Sequence, residues 1–170
     1  NWIGKLEGVQ REMPMEFEAE IALLKWWFET LRKKLLVVVG GNHDTGRTKR
    51  ISGIDFIKEI LGDTRVLYDP DEVRFTFHVG DAEWRFKCRH LWKGNSKNND
   101  TYGIENDTRY GDDDFDIGIG GHTHRGTLFR EFMVHHKKRL ALLLGTYKYH
   151  DSYGVRWGFP QSPQSASGAI

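Results

Sequence analysis

Apolar and polar residues alternate along this chain with two different periods, and the order of those periods predicts an α/β fold. Over residues 14 to 33 the apolar side chains recur at spacings of three and four, as on one buried face of a helix that Pro14 opens. Residues 35 to 39 then form a run that is apolar on both faces, typical of a strand in a sheet covered by helices on each side. A second helical pattern covers residues 49 to 61, and Gly62 stops it.

In the second half of the chain, apolar residues recur at every second position, as in a β-strand. Residues 73 to 79 and 84 to 88 alternate apolar with polar side chains, which predicts an antiparallel hairpin with one buried face. Residues 91 to 114 are rich in Asn, Asp and Gly and predict a long loop, either functional or disordered. A short strand is expected at 115 to 121. A last hairpin, residues 132 to 145, is expected to turn at its adjacent lysines, Lys137 and Lys138.

Composition restricts the class of protein without identifying it. The 170 residues are enough for one domain, and we expect that domain over 1 to 160, followed by a polar tail at 161 to 170. The 25 Lys and Arg nearly cancel the 24 Asp and Glu, so the net charge indicates neither nucleic acid nor a membrane surface as partner. The single cysteine excludes an intrachain disulfide and favours a cytoplasmic location. No apolar run approaches the roughly 20 residues of a membrane span.

Two polar clusters carry the candidate chemistry, and each follows a predicted strand and two glycines. The first is GGNHD at 40 to 44 and the second is GGHTH at 120 to 124. The carboxyl ends of strands in α/β sheets are where ligands bind, so two such clusters predict a shared metal site. His90 ends the predicted strand that precedes the polar loop and is a third candidate ligand. The alternatives are ordinary polar turns and, for His90, a hydrogen-bonded core histidine.

These residues resemble a known enzyme family. GGNHD, CRHLW at 88 to 92, and GGHTH, in that order, are similar to the third, fourth and fifth signature motifs of the calcineurin-like metallophosphoesterases of phage and bacteria. The similarity extends over about residues 14 to 159. It implies a sandwich of two mixed sheets flanked by helices, with two divalent metal ions of the Mn, Zn or Fe type. It also implies hydrolysis of a phosphomonoester or phosphodiester by a hydroxide that the two metals activate.

The resemblance assigns metal ligands residue by residue. Asn42, His90 and His122 are expected to hold one metal ion, and His124 is expected to reach the other. The amide oxygen of Asn42 is a neutral ligand, so it leaves the bound metal Lewis-acidic.

The resemblance also assigns catalytic roles. His43 is expected to protonate the leaving oxygen of the substrate rather than to bind metal, and Asp44 to keep that imidazole oriented and charged. From the residues themselves, Asn95 and Ser96 in the polar loop are expected to donate hydrogen bonds to phosphate oxygens.

The chain departs from the family pattern at its start. The Asp-x-His and Gly-Asp-x-x-Asp motifs, which donate the remaining ligands, are absent, and no histidine precedes residue 41. We interpret this chain as an N-terminally truncated member that lacks the first strand or strands. We therefore expect weak metal binding and little turnover from the chain as it stands.

Two other functions stay open at this point. The first is a nuclease acting on DNA or RNA with the same metal centre, for which the basic residues Arg47, Lys49 and Arg50 are candidate phosphate contacts. The second is a non-catalytic scaffold that keeps the fold with an incomplete site. A metallophosphoesterase is preferred because GGNHD and GGHTH are both intact.

Overall fold

Helices and short strands occupy the first half of the structure, and longer strands occupy the second half. The computed structural model describes residues 17 to 94, 96, 98 to 111, 113 to 123 and 127 to 145. In this part of the chain the helices are α1 (Phe17–Leu31), α2 (Arg50–Ser52), α3 (Phe56–Leu61) and α4 (Tyr102–Tyr110), and a π-helix covers Asn42–Lys49. The strands are β1 (Val37–Val39), β2 (Leu67–Asp69), β3 (Glu72–Val79), β4 (Ala82–Arg89), β5 (Ile117–Gly120), β6 (Leu128–Val134) and β7 (Lys137–Leu143).

The strands form two sheets. β1 and β2 pair in parallel, and the larger sheet has the order β3-β4-β5-β7-β6. In that larger sheet β4, β5 and β7 run parallel to one another, while β3 and β6 are antiparallel edge strands. The fold is therefore mixed α/β, as the two periods of the sequence predict. Because β4, β5 and β7 run in one direction, the segments that follow them leave the sheet at one edge.

The first predicted helix is present, with its described part over Phe17–Leu31, whereas Pro14 lies outside the described residues. This helix packs against α3. Its adjacent Trp26 and Trp27 are 60% and 42% exposed, so the described structure leaves much of their apolar surface open. Within the described residues, no helix has the length and apolar character needed to cross a membrane.

The prediction of a single helix over 49 to 61 is wrong, because this segment forms separate short helices. The π-helix ends at Lys49 and α2 is short, and Gly53 then takes a left-handed φ of 74°, which ends the helical hydrogen-bonding pattern. α3 starts afresh because the carboxylate of Asp55 accepts the N–H of Lys58 at 3.1 Å as an N-cap. The predicted stop at Gly62 is confirmed.

The predicted hairpin at 73 to 88 is confirmed as β3 and β4. The register pairs Phe75 with Phe86, whose rings stack at 4.7 Å between centroids. Cys88 pairs with Val73, and both are buried, so the cysteine is a small core residue. The expectation of one buried face is wrong. Lys87 on the opposite face is only 3% exposed, and nearer the turn Phe77 and Trp84 of the apolar face are 44% and 43% exposed.

Lys87 is buried because charged and aromatic groups surround it. Its ammonium donates to the carboxylates of Asp107 at 2.6 Å and Asp113 at 3.0 Å. It also lies 5.7 Å from the ring centre of Trp92 and 5.5 Å from that of Phe115. Opposite charges and aromatic faces replace the water that a buried ammonium loses.

The expected loop at 91 to 114 contains a helix that the sequence analysis did not predict. α4 packs on β5 and β6, and its Ile104 is 1% exposed. The hydroxyl of Thr101 donates to the carboxylate of Glu105 at 2.7 Å, which ties the preceding turn to the helix. The main core lies between this helix and the sheet, and its members are Trp92, Ile104, Phe115, Phe132, Val134, Ala141 and Leu143.

The last hairpin is confirmed, but its turn lies two residues earlier than expected. β6 and β7 pair from Val134 with Lys137, so His135 and His136 form the turn and the two lysines belong to β7. Both histidines have positive φ, 50° and 62°. Positive φ at both central residues is the feature of a two-residue type I′ turn, whose twist matches that of the flanking strands.

Candidate metal centre

Three side chains that the sequence analysis assigned as metal ligands follow the ends of strands. β1 leads through two glycines to Asn42, His90 directly follows β4, and His122 follows β5. β4 and β5 are parallel neighbours, so the chain leaves both strands at the same edge of the sheet. The backbone N–H of Gly121 donates to the carbonyl oxygen of His90 at 3.2 Å, which holds the two exits together.

The side chains of Asn42 and His122 both contact His90. The Nε2 atom of His90 lies 2.9 Å from the amide oxygen of Asn42 and 3.0 Å from the Nδ1 atom of His122. The two imidazole rings meet edge to face, with centroids 4.9 Å apart and an interplanar angle of 83°. The structure therefore brings together the three residues expected to share one metal ion.

The spacing of the donor atoms fits a metal centre. In an octahedral site with ligand distances of about 2.1 Å, neighbouring donor atoms are about 3.0 Å apart. The two distances from Nε2 of His90 have this value. A neutral imidazole carries a single N–H, so this nitrogen cannot both donate to Asn42 and accept from His122. A divalent cation would instead take one lone pair from each of the three groups.

Backbone geometry aims these side chains at each other. A Cβ atom at Gly41 would lie 2.9 Å from a carboxylate oxygen of the exposed Asp44 side chain and 3.6 Å from the ring of His90, so the backbone here passes close to both side chains. His122 has a left-handed φ of 72°. A non-glycine residue in this conformation costs roughly 1 to 3 kcal/mol, and such strain is concentrated at functional sites.

Thr45 fixes the turn that presents Asn42. Its hydroxyl and its backbone N–H both donate to the carbonyl oxygen of Gly41, each at 2.9 Å. The N–H of Gly40 donates to the carbonyl of Asp69 at 3.1 Å and anchors the turn to the neighbouring strand β2. The start of the π-helix is thereby held at the strand ends with Asn42 exposed.

The carboxylate of Asp69 also lies at the end of a strand, but it is engaged by the backbone. It accepts the N–H groups of Asp71 at 2.8 Å and Glu72 at 2.9 Å. These bonds, with that of Glu72 the larger contribution, lower the pKa of Asp69. Its role is therefore to form the turn between β2 and β3.

Trp92 is a site component to which the sequence analysis gave no role. It follows His90 by two residues and is 6% exposed, and its indole N–H donates to the carbonyl of Ile119 at 3.0 Å. It therefore bridges the segment after β4 to the end of β5. The available signal was a large aromatic residue directly beyond a candidate ligand in a polar segment.

The other predicted site residues are described to different degrees. His43 and Asp44 are exposed on the first turn of the π-helix, and a carboxylate oxygen of Asp44 faces Gly41. The hydroxyl of Ser96 accepts the N–H of Asn98 at 3.3 Å, a contact within its own loop. His124 and Asn95 lie outside the described residues.

Neither a search for other metal-binding clusters in the described residues nor comparison with known proteins identifies a further site or a family. Among the residues that the structure describes, no three or more His, Cys, Asp and Glu side chains form a group able to hold a metal ion. The cluster above contains two such residues, and its third donor is an amide. Comparisons with family models, with curated proteins and with solved structures find no match to this chain.

Proposed function

We propose that this chain is a calcineurin-like metallophosphoesterase that hydrolyses a phosphomonoester or phosphodiester at the edge where β1, β4 and β5 end. One observation carries the proposal. The amide oxygen of Asn42 and the ring nitrogen of His122 both lie about 3 Å from Nε2 of His90, which is the spacing of neighbouring ligands around one cation. The three residues follow three different strands, and His122 has a left-handed backbone conformation with a φ of 72°.

The protein groups divide into ligands and substrate contacts. Asn42, His90 and His122 would hold one divalent ion of the Mn, Zn or Fe type, and His124 would belong to a second ion. When bound, such ions supply a Lewis acid for the phosphate and an activated water molecule. The neutral Asn42 keeps the charge of the site positive, which favours an anionic substrate.

His43 and Asp44 would serve the substrate. Both are exposed, and they follow Asn42 by one and two residues. An exposed imidazole beside a phosphate ester can give a proton to the leaving oxygen. Asp44 is proposed to keep that imidazole oriented. Asn95 and Ser96 are proposed to bind the phosphate oxygens from the following loop.

Cobalt titration tests the ligand set. Co²⁺ is added to the wild type, to Asn42→Ala and to His122→Ala, and the visible absorption of the bound Co²⁺ is measured. We expect each variant to weaken Co²⁺ binding by about tenfold or more, because each removes one donor of three. The matched control is His78→Ala on the exposed part of β3, which should bind as the wild type does. Equal losses in all three variants, or no Co²⁺ binding by the wild type, would contradict the proposal.

Hydrolysis tests the reaction. The chain with saturating Mn²⁺ is incubated with bis(p-nitrophenyl) phosphate and, separately, with p-nitrophenyl phosphate. We expect slow, Mn²⁺-dependent release of nitrophenol that His122→Ala abolishes and His78→Ala retains. Release that is insensitive to His122→Ala would place the reaction elsewhere. A plasmid-nicking assay under the same conditions distinguishes a nuclease from a small-ester phosphatase.

A further inference from the structure

We infer that Trp92 is a positioning residue of this site: it sets the distance between His90 and His122 by locking the end of β4 to the end of β5. The inference rests on the proposed function, because it concerns the ligands of the same metal centre. It starts from the fact that the two imidazoles belong to different strands, so nothing in their local sequence fixes their separation.

Two hydrogen bonds join these strands beyond their last paired residues, Cys88 and Ile119. In the first, the N–H of Gly121 reaches the carbonyl of His90 at 3.2 Å. In the second, the indole N–H of Trp92 reaches the carbonyl of Ile119 at 3.0 Å. The first bond is long and lies at a glycine, whereas the second comes from a rigid, buried side chain.

The indole has no freedom to turn. A Cβ atom at Gly120 would lie 2.7 Å from Cδ1 and 2.8 Å from Nε1 of Trp92, so this edge of the indole lies directly against the backbone of β5. On its other side, a Cβ at Gly103 would come within 2.8 Å of Cβ of Trp92, so α4 presses the residue into place. The ring centre of Phe115 is 5.6 Å from that of Trp92.

The proposed site depends on this link between β4 and β5, because metal ligands must keep their positions to within about 0.5 Å. Trp92 is two residues from His90, and its acceptor Ile119 is three residues from His122. A shift of β4 against β5 would therefore act directly on the 3.0 Å contact between the two imidazoles. Neighbours that orient the ligands of a metal typically change its affinity by about 10- to 100-fold.

The test compares Trp92→Phe with Val134→Ala. Trp92→Phe keeps a ring in the core but removes the N–H that reaches Ile119. Val134→Ala reduces packing in the same core cluster without removing a hydrogen bond to a strand end, so it is the control for a loss of stability alone. Urea unfolding calibrates the stability of each variant, and far-ultraviolet circular dichroism checks that each is folded.

Two readouts are taken on every protein. The first is the affinity for Co²⁺, which we expect to fall by about tenfold in Trp92→Phe and to stay at the wild-type value in Val134→Ala. The second needs no metal: the nuclear Overhauser effect between the ring protons of His90 and His122, whose centroids are 4.9 Å apart. We expect this signal in the wild type and in Val134→Ala, and its loss in Trp92→Phe.

The outcomes separate the inference from the proposed function. If the wild type binds Co²⁺ and Trp92→Phe binds it equally well, the positioning role is wrong and the metal centre stands. If the wild type binds no Co²⁺, the proposed function is wrong, and the ring-proton signal alone decides whether Trp92 sets the spacing. Should Trp92→Phe fail to fold, Gly120→Ala replaces it, because the added methyl displaces the indole while the N–H remains. Wild-type affinity and an unchanged ring-proton signal in Gly120→Ala would then overturn the inference.

Discussion

The Nδ1 atom of His122 lies 3.0 Å from the Nε2 atom of His90, although the two residues are 32 positions apart in the sequence. Parallel pairing of β4 with β5 produces this contact, because it brings the residues after both strands to one edge. The left-handed backbone at His122 then turns its imidazole toward His90, at the end of β4. Strand order and one unusual backbone conformation therefore build the contact, and changes in sheet packing are expected to affect it.

Lys87 is expected to be a costly ion-pair residue to remove. Replacing it with alanine removes the cation that the carboxylates of Asp107 and Asp113 share, leaves Asp113 paired with Arg74, and empties space beside Trp92. Loss of one partner of a buried pair costs about 3 to 5 kcal/mol, and the part-exposed carboxylates place the expected loss near the lower value. Urea unfolding measures the free energy.

The control for this prediction is Lys138→Ala. Lys138 pairs with Glu131 at 2.9 Å, but both side chains are more than half exposed, and such pairs contribute about 0 to 1 kcal/mol. Lys87→Met separates charge from volume, since it keeps most of the packing without the ammonium. Equal stability of Lys87→Ala and Lys138→Ala would show that the buried ion pairs contribute nothing net.

Acid should weaken the fold partly through Asp113. The hydrogen bond and charge of Lys87 lower the pKa of Asp113, outweighing the desolvation that opposes them. A carboxyl group whose folded pKa lies below its unfolded pKa stabilises the protein above the unfolded value, and the contribution is lost as pH falls through the folded value. Asp113→Asn should therefore reduce stability at pH 7 and flatten the loss of stability below about pH 4.

Urea midpoints measured from pH 7 down to pH 3 test this dependence. Asp81→Asn, in the exposed turn between β3 and β4, is the comparison variant. Its curve should run parallel to that of the wild type. An Asp113→Asn curve that also runs parallel to the wild type would remove Asp113 from the account of acid sensitivity.

Gly118 is expected to tolerate no side chain, because α4 packs directly on it. A Cβ atom there would lie 2.4 Å from Cγ2 of Ile104 and 3.0 Å from the ring of Phe115. Overpacking of this kind costs about 1 to 3 kcal/mol, so Gly118→Ala should lower the thermal midpoint by several degrees. At Gly46 the nearest atom to an added Cβ is 3.9 Å away, so Gly46→Ala should be close to neutral in the same measurement.

The sequence could predict those parts of the fold that depend on local patterning. The hairpin of β3 and β4 alternates along its length, and the cluster around Asn42 follows a run of valines. The grouping of Asn42, His90 and His122 is predicted by the resemblance to the metallophosphoesterase motifs, and the strand-end positions of the motifs support a shared site. In each of these cases the signal lies within a few residues of the feature.

The remaining features depend on contacts that local patterning does not contain. α4 has one deeply buried apolar side chain, Ile104, among polar neighbours, so its helical periodicity is weak. Lys87 occupies a polar position of its strand and is buried by residues much later in the chain. The turn at His135 and His136 uses positive φ without glycine or asparagine, so it lacked the usual sequence signal.

The last prediction separates the roles of His43 and His122, two exposed histidines at the same edge of the protein. Removal of His122 deletes a donor atom 3.0 Å from Nε2 of His90, so His122→Ala should lose metal and turnover together. His43 is proposed to act on the leaving oxygen, so His43→Ala should keep its metal and lose turnover by about 100-fold or more. The measurements are metal content after dialysis against Mn²⁺ and the rate of hydrolysis of an alkyl phosphodiester, whose leaving oxygen needs a proton.

A leaving group that needs no proton provides the control. Nitrophenolate departs readily, whereas an alkyl leaving oxygen needs the proton of a general acid, so His43→Ala should slow an alkyl ester more than a nitrophenyl ester. His122→Ala should slow both equally, because it removes the metal that both reactions need. Loss of metal from His43→Ala would show that this imidazole is a ligand. An equal effect of His43→Ala on both esters would show that it binds phosphate without transferring a proton.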